Sequence, residues 1–388
     1  MTASAASPSS PSAALVRSIA RAIEAAGGWL PFDRFMALAL YAPGLGYYAN
    51  AGRKFGAMPE SGSDFVTAPG LSPLFGQTLA VALAEALERT GTHELWEFGA
   101  GSGALARELL GALGERITRY TIVELSGALR ERQQQALAAW GDKVCWADAL
   151  PARIEGVIVG NEVLDAMPVQ LLARHGSDSG HGDAADPSSG PWFERGVTLA
   201  AAGGPGEHNG TLVWSDRPTR LRPPVEIEGT HDYLSEIHPQ ANAFIATLAG
   251  RLARGAAYFI DYGFPEQEYY HPQRCMGTLM CHRAHRSDAD PLTDVGLKDI
   301  SAHVDFSGIA LAGQNAGLSV LGYCTQGRFL INCGLAQRMQ SARLPERAQA
   351  ARLIHEHEMG ELFKVIGFAA GAPWDAIGFR AGDRTHTL

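Results

Sequence analysis

The sequence predicts an α/β protein: a mostly parallel sheet with helices on both faces, an N-terminal helical extension before it and an antiparallel β insertion within it. Three observations carry this. From residue 93 onward, short apolar runs of strand length alternate with helix-like stretches, the pattern of a parallel sheet built from right-handed crossovers. The segment HELWEFGAGSGALARELL, residues 93–110, passes from strand through a turn with three alternating glycines into a helix. Residues 169–225 break the rhythm, with strand-like runs and Gly/Ser/Pro turns and no helical pattern.

In chain order, Leu15, Ile19 and Ile23 recur every four residues and predict an amphipathic helix over 13–28. A second helix is predicted over 31–42, opening on Pro31. PGLGYYANAGRKFG and SGSDFVTAPGLS read as loops outside the core. Ser72 and Pro73 then supply an N-cap and first helical residue for PLFGQTLAVALAEALERTG. Strands are expected at Leu95–Phe98, Tyr120–Leu125, Val144–Ala147, Val157–Gly160 and Ala257–Tyr262, with helices such as Ala104–Leu113 and Ala128–Ala139 between them. VQLLARH, PWFERGVTLA and TLVWSDRP are the strands of the insertion, and SDSGHGDAADPSSG reads as a mobile loop among them. Residues 231–255 read as one helix, and LSVLGYCT and FKVIGFAA as the last two strands, the final one antiparallel. The expected division is 1–90 for tail, helices and covering loops, and 91–388 for the core with its 169–225 insertion.

Composition narrows the function. A net charge of −9 with no Lys/Arg block argues against a nucleic-acid or anionic-membrane binder. No apolar run is long enough to span a bilayer. MTASAASPSSPS lacks the charged start and apolar stretch of a signal peptide and reads as a disordered tail. Five cysteines without a CxxC pair read as reduced thiols. That places a bacterial chain in the cytoplasm and a eukaryotic one in the mitochondrial matrix. Cys275, Cys281, His282 and His285 match no zinc spacing, and no metal is expected.

The glycine turn discriminates among cofactors. A dinucleotide fingerprint needs glycine at 104, where Ala104 stands, and a P-loop needs G-K-[ST], which is absent. A nucleophile elbow around Ser102 needs glycines where Ala100 and Ala104 stand. What remains is Glu97 followed by Gly99, Gly101 and Gly103. A carboxylate there repels a pyrophosphate but suits S-adenosylmethionine, which carries a sulfonium and an ammonium and no phosphate. Glu124 ends the second strand, where an acid accepts both ribose hydroxyls of an adenosine. Asp148 follows the third strand, at the place of an adenine amino group. Asn161 and Glu162 follow the fourth and Asp261 the fifth, so all five strands end in acids. Leu125 and Ala149, next in chain to Glu124 and Asp148, complete the expected cofactor set. Each acid also has a purely structural reading, as a helix cap or turn residue.

Several motifs resemble, in order, the MidA-like methyltransferase family: LYAPGLGYYA, GSDFVTAPGLSPLFGQ, WEFGAGSGALA, NEVLDAMPV, IDYGFP, GTLMCHRAHR, DISAHVDFSGI and MGELFKVIGF. The resemblance implies a seven-strand class I methyltransferase sheet, a Rossmann-like arrangement, with S-adenosyl-L-methionine as cofactor. It also implies an activity, methylation of an arginine on a protein partner, which in mitochondrial members serves complex I assembly. By position it assigns Gly99, Gly101 and Gly103 to the cofactor loop and Glu124 to the ribose. Phe65 and Thr67 fall in a segment that folds over the cofactor. Ser63 stands where the family often has glycine.

Methylating a guanidinium requires carboxylates that fork it and accept its proton. Glu162 and Asp165, in NEVLDAMP, are the first candidates for this; Glu236, His282 and His285 are the second. The competing readings are a small-molecule N- or O-methyltransferase, a non-catalytic S-adenosylmethionine-binding assembly chaperone, and an NAD-dependent oxidoreductase disfavoured by Ala104 and Glu97. The sequence does not set the oligomeric state.

Overall fold

A computed structural model of the chain describes residues 11–50, 67–176, 192–201 and 208–388. The expected tail at 1–10, the Arg53–Lys54 loop, Phe65 and the SDSGHGDAADPSSG loop lie outside the described residues. Contacts divide the chain into two units, one of residues 1–52, 166–240 and 266–302, the other of 53–165, 241–265 and 303–388. Set against the expected division at residue 90, the helices Pro11–Ala25 and Phe32–Tyr41 group with the insertion.

The second unit holds the large sheet. Its strands, numbered in chain order, are β1 (Glu94–Phe98), β2 (Arg119–Val123), β3 (Val144–Ala147), β4 (Ile154–Asn161), β5 (Leu252–Phe264), β6 (Leu318–Thr325) and β7 (Phe363–Ala370). Among the described residues they lie in the order β3-β2-β1-β4-β5-β7-β6, and Val304–Asp305 adds a two-residue strand beside the end of β5. β1 to β5 are mutually parallel, and β7 runs antiparallel to β5 and β6. β4 is buried along nearly its whole length, as expected of a strand covered on both faces.

The helix Pro73–Thr90 shows why this segment folds as it does. Ser72 Oγ accepts the Leu74 N–H, Pro73 takes the first helical position, and Gly91 ends the helix in the left-handed region. Its buried face includes Phe75, Leu79 and Leu83, packed with the helix Ala104–Leu113 in the sheet's core. Each such side chain contributes about 1.5–3 kcal/mol by leaving water.

The first unit is built around a five-stranded antiparallel sheet. Trp192–Ala201 pairs with His208–Pro218, with Gln170–Arg174 and with the short strand Leu30–Pro31. Tyr233–Ile237 pairs with Gln170–Arg174. The last pairing corrects the single helix expected over 231–255. YLSEI is a strand, and the helix runs only over Pro239–Arg251. Pro239 opens that helix because proline fits a first turn and breaks an interior one. The insertion therefore extends beyond 225. PGLGYYAN is also less peripheral than expected, since Tyr47 is buried and stacks edge-on against Tyr48. Likewise Ala68–Leu71, read as loop, forms a short helical turn capped at Thr67. GTLMCHRAHR forms a hairpin, Met280–Arg283 with Arg286–Asp288, turning at Ala284 and His285.

Candidate active site

The chain leaves β1 for β2 and β3 on one side and returns as β4 on the other. Such a reversal opens a crevice at the carboxyl ends of the strands on either side of it, here β1 and β4. The glycine turn follows β1, and the NEVLD turn follows β4.

Gly99, Gly101 and Gly103 all have positive φ, at 64°, 51° and 78°, a conformation that costs other L-residues about 1–2 kcal/mol. Gly99 is required twice over, because a Cβ there would lie 3.0 Å from Val163 Cγ2. No side chain caps the helix that begins at Ala104, so its first amides face the crevice end without a protein acceptor from the cap.

Glu97 is buried at the end of β1 and accepts a hydrogen bond from Tyr120 at 2.7 Å. Burial pushes its carboxyl from 4.5 up to about 8, and the charge of Glu124 pushes the same way. Glu124 is itself raised by burial. Its Oε1 accepts the Ser126 N–H and its Oε2 accepts from the Gln133 amide. Beside it Leu125 is 79 % exposed, a bare apolar side chain of the kind that packs on a ligand ring. Asp148 and Ala149 follow β3 and are exposed.

Asn161 is only 8 % exposed; its Nδ2 donates to Glu162 Oε1 at 2.9 Å, and its Oδ1 has no partner. A buried acceptor left unpaired costs free energy, and a donor on a bound ligand would remove that cost. Glu162 has a φ of 53°, strained for a non-glycine residue. Its N–H donates to the Ile260 carbonyl. Asp261, buried at the end of β5, holds the rest of the turn. Its Oδ2 accepts the N–H groups of Val163, Leu164 and Asp165, and its Oδ1 that of Tyr262. Burial, with the charge of Glu162 adding, pushes the Asp261 carboxyl well above the usual carboxylate range.

The second unit thus brings Glu97, the three glycines, Glu124, Leu125, Asp148, Ala149, Asn161, Glu162 and Asp165 to one edge of one sheet. Thr67 belongs to the same unit, where Ala68–Leu71 packs on the helix Ala104–Leu113. Glu236 lies in the other unit. It is fully buried and accepts from the Thr278 and Leu279 amides and from the Thr278 and Tyr269 hydroxyls. Those four donors make it the anchor of a turn, and Gly277 approaches so closely that a Cβ would meet Glu236 Oε1 at 2.5 Å. His285 sits in a hairpin turn, and His282 is a strand residue whose burial lowers its pKa. Among the described residues no group of three or more His, Cys, Asp or Glu is placed to hold a metal ion.

Gln133 is the site residue that motif reading misses. Its amide nitrogen donates to the Gly101 carbonyl as well as to Glu124, and its Oε1 accepts from Trp146 Nε1. A signal for it exists: Gln133 takes the middle place in the four-residue repeat Leu129, Gln133, Leu137, a polar residue on an apolar stripe.

Comparison with known proteins agrees with this geometry. Residues 78–324 match a family described as "Putative S-adenosyl-L-methionine-dependent methyltransferase". A crystal structure of a Burkholderia thailandensis protein bound to S-adenosyl-homocysteine is 46 % identical, covers all of both chains and superposes with a TM-score of 0.89. The mitochondrial protein arginine methyltransferase NDUFAF7 of Danio rerio is 28 % identical over 87 % of this chain and 83 % of its own length. The homologue so named in Caenorhabditis elegans is 24 % identical over 86 % and 80 %. The mitochondrial address belongs to those proteins, and a cytoplasmic one has no support among them. The orphaned Asn161 oxygen, the bare Leu125 and the cation-poor acids fit an adenosyl sulfonium cofactor, and the chain belongs to the MidA-like family of S-adenosyl-L-methionine-dependent methyltransferases.

Proposed function

We propose that this enzyme is a protein arginine N-methyltransferase built on the seven-strand class I sheet. The strand order β3-β2-β1-β4-β5-β7-β6 supports that class, and the names of the Danio rerio and Caenorhabditis elegans relatives support the substrate. The observation that carries the reading is electrostatic. Glu97 is buried with one hydroxyl partner, its carboxyl is pushed up to about 8, and the neighbouring acid Glu124 pushes it further. Such a crevice is short of positive charge, and a cationic cofactor and a cationic substrate both supply it.

S-adenosyl-L-methionine supplies an electrophilic methyl group. The glycine loop and Glu97 hold its cationic amino-acid end, and Glu124 accepts from its ribose. Leu125, with Asp148 and Ala149, borders the adenine. Asn161 Oδ1 accepts a ligand N–H or O–H. Thr67, at the cap of the Ala68–Leu71 turn, borders the cofactor.

Glu162 and Asp165 meet the guanidinium. With a pKa of about 12.5–13.8, its neutral form lies roughly 7–9 kcal/mol uphill at pH 7. The protein avoids that cost by holding the cation until the new bond forms. The two carboxylates localise charge away from the attacking nitrogen, and Glu162 takes the released proton. The three turn amides fixed by Asp261 hold the strained Glu162 in place.

The test is incubation of the protein with methyl-labelled cofactor and a cell lysate, followed by mass spectrometry of digested protein. Label in dimethylarginine is the expected result. Label confined to small molecules would move the substrate class, and no label at all would leave a cofactor-binding protein without turnover.

A further inference from the structure

We infer that Gln133 is a positioning residue for the methyl donor: it locks the glycine loop to the ribose-binding acid, so that cofactor affinity depends on a side chain that does not touch the cofactor. The inference rests on Glu124 accepting from the ribose.

The geometry leaves Gln133 no freedom. It is 0 % exposed, inside the helix Gly127–Ala136. Trp146 in β3 donates to its Oε1 at 3.0 Å. An indole N–H is only ever a donor, so the amide oxygen must face Trp146 and the NH2 must face the other way. Both amide hydrogens are then assigned, one to the Gly101 carbonyl at 3.1 Å and one to Glu124 Oε2 at 2.9 Å. The helix lies directly against the loop: a Cβ built at Gly103 would rest 3.7 Å from Gln133 Cα, in ordinary contact. Gly101 sits at positive φ in the middle of the loop, and its carbonyl is fixed by this one side chain. Glu124 receives one donor on each oxygen, Ser126 N–H on Oε1 and Gln133 on Oε2. Each oxygen keeps a lone pair for a ribose hydroxyl. One glutamine therefore sets the aim of the acid and the shape of the loop together. Asparagine is too short to span the three partners, and an apolar residue of equal size keeps the packing and loses the aim.

The experiment is titration of purified protein with S-adenosyl-homocysteine and with its 2′,3′-dideoxy counterpart, by calorimetry. Wild type, Gln133→Met and Gln133→Glu are compared at pH 5.5 and pH 8, with thermal melts alongside. Losing a hydrogen bond to a charged acceptor predicts an affinity for S-adenosyl-homocysteine about 10–100-fold weaker in Gln133→Met. The dideoxy ligand, which has no hydroxyls for Glu124 to hold, should weaken by less than about 3-fold, because effects acting through one shared group are not additive. Gln133→Glu should be as weak as Gln133→Met at pH 8. At pH 5.5 it should regain affinity relative to wild type, since a protonated carboxyl can again donate to Glu124; Gln133→Met should not. Equal losses for both ligands, or no difference between the variants at low pH, would reduce Gln133 to packing and overturn the inference. If Gln133→Met does not fold, the pH response of Gln133→Glu decides alone. Wild-type protein that binds neither ligand would overturn the cofactor reading, and the inference with it.

Discussion

Replacing Glu97 by glutamine tests the charge argument at its centre. The wild-type carboxyl is buried at the end of β1, and that burial pushes it from 4.5 up to about 8 in the folded state. A folded-state pKa above the unfolded one means that the unfolded chain releases its proton first. Stability associated with Glu97 is therefore fully present below about pH 4.5, falls between 4.5 and 8, and is flat above 8. The slope is about 1.4 kcal/mol per pH unit, so the full range amounts to about 5 kcal/mol. Water entry and local relaxation bring the measurable part to roughly half that. The informative quantity is the difference in slope between wild type and Glu97→Gln, because titrating groups other than Glu97 and its neighbour Glu124 cancel between the two proteins. The assay is urea denaturation of ligand-free protein from pH 5 to pH 9. Wild type should lose stability relative to Glu97→Gln across that range, by roughly 2–3 kcal/mol. Saturating S-adenosyl-homocysteine, whose ammonium pairs with the ionised acid, should make the wild-type decline shallower. Parallel pH profiles for the two proteins would refute the claim that this acid lies in a cation-poor pocket.

Three further outcomes follow from the same geometry. Gly99→Val combines a φ of 64° with a Cβ 3.0 Å from Val163, and should cost about 2–4 kcal/mol of stability and abolish calorimetric binding of S-adenosyl-homocysteine. Glu162→Gln should leave that binding within about 3-fold of wild type, while lowering the rate of methyl transfer to an arginine substrate about 10²–10⁴-fold, the range for a lost proton acceptor; a large loss of cofactor affinity with an unchanged rate would reassign the residue. Glu236→Ala leaves the Thr278 and Leu279 amides without their acceptor and should destabilise by about 3–5 kcal/mol in denaturant titrations, with Glu236→Gln milder; full stability in the alanine variant would show that the anchored turn is dispensable.

Local signals make the second unit legible. Ser72, Pro73 and Gly91 mark both ends of one helix within the sequence itself, and the helix starts and stops at those residues. The strands from β1 to β5 announce themselves by apolar runs ending in acids, and the helix Ala104–Leu113 by its glycine start. What fails depends on distant partners. Tyr233–Ile237 lies within apolar spacing that a helix also satisfies, and only pairing with Gln170–Arg174, some sixty residues earlier, makes it a strand. The same long-range pairing draws Leu30–Pro31 into the insertion's sheet and so moves the boundary between units. The surroundings of Glu236 are hidden for a related reason: its donors come from residues 269–279, which nothing in its local sequence announces.

Hydrogen-bond compensation, rather than burial, separates the acids that organise turns from the one left short of partners. Glu236 and Asp261 are both buried carboxyls raised by desolvation, yet each receives four hydrogen bonds from groups of its own unit. Their negative charge is answered inside the protein, and each organises a turn. Glu97 is equally buried but has one hydroxyl partner, Tyr120, and its neighbouring acid makes its situation worse. An under-compensated carboxyl in a folded interior is a mark of a ligand site. The orphaned oxygen of Asn161, across the switch point at the end of β4, is incomplete in the same way. Two unfinished polar groups at adjacent strand ends, one wanting a cation and the other a donor, define the ligand by what the protein leaves unsatisfied: a positively charged molecule rich in N–H and O–H groups, with no phosphate.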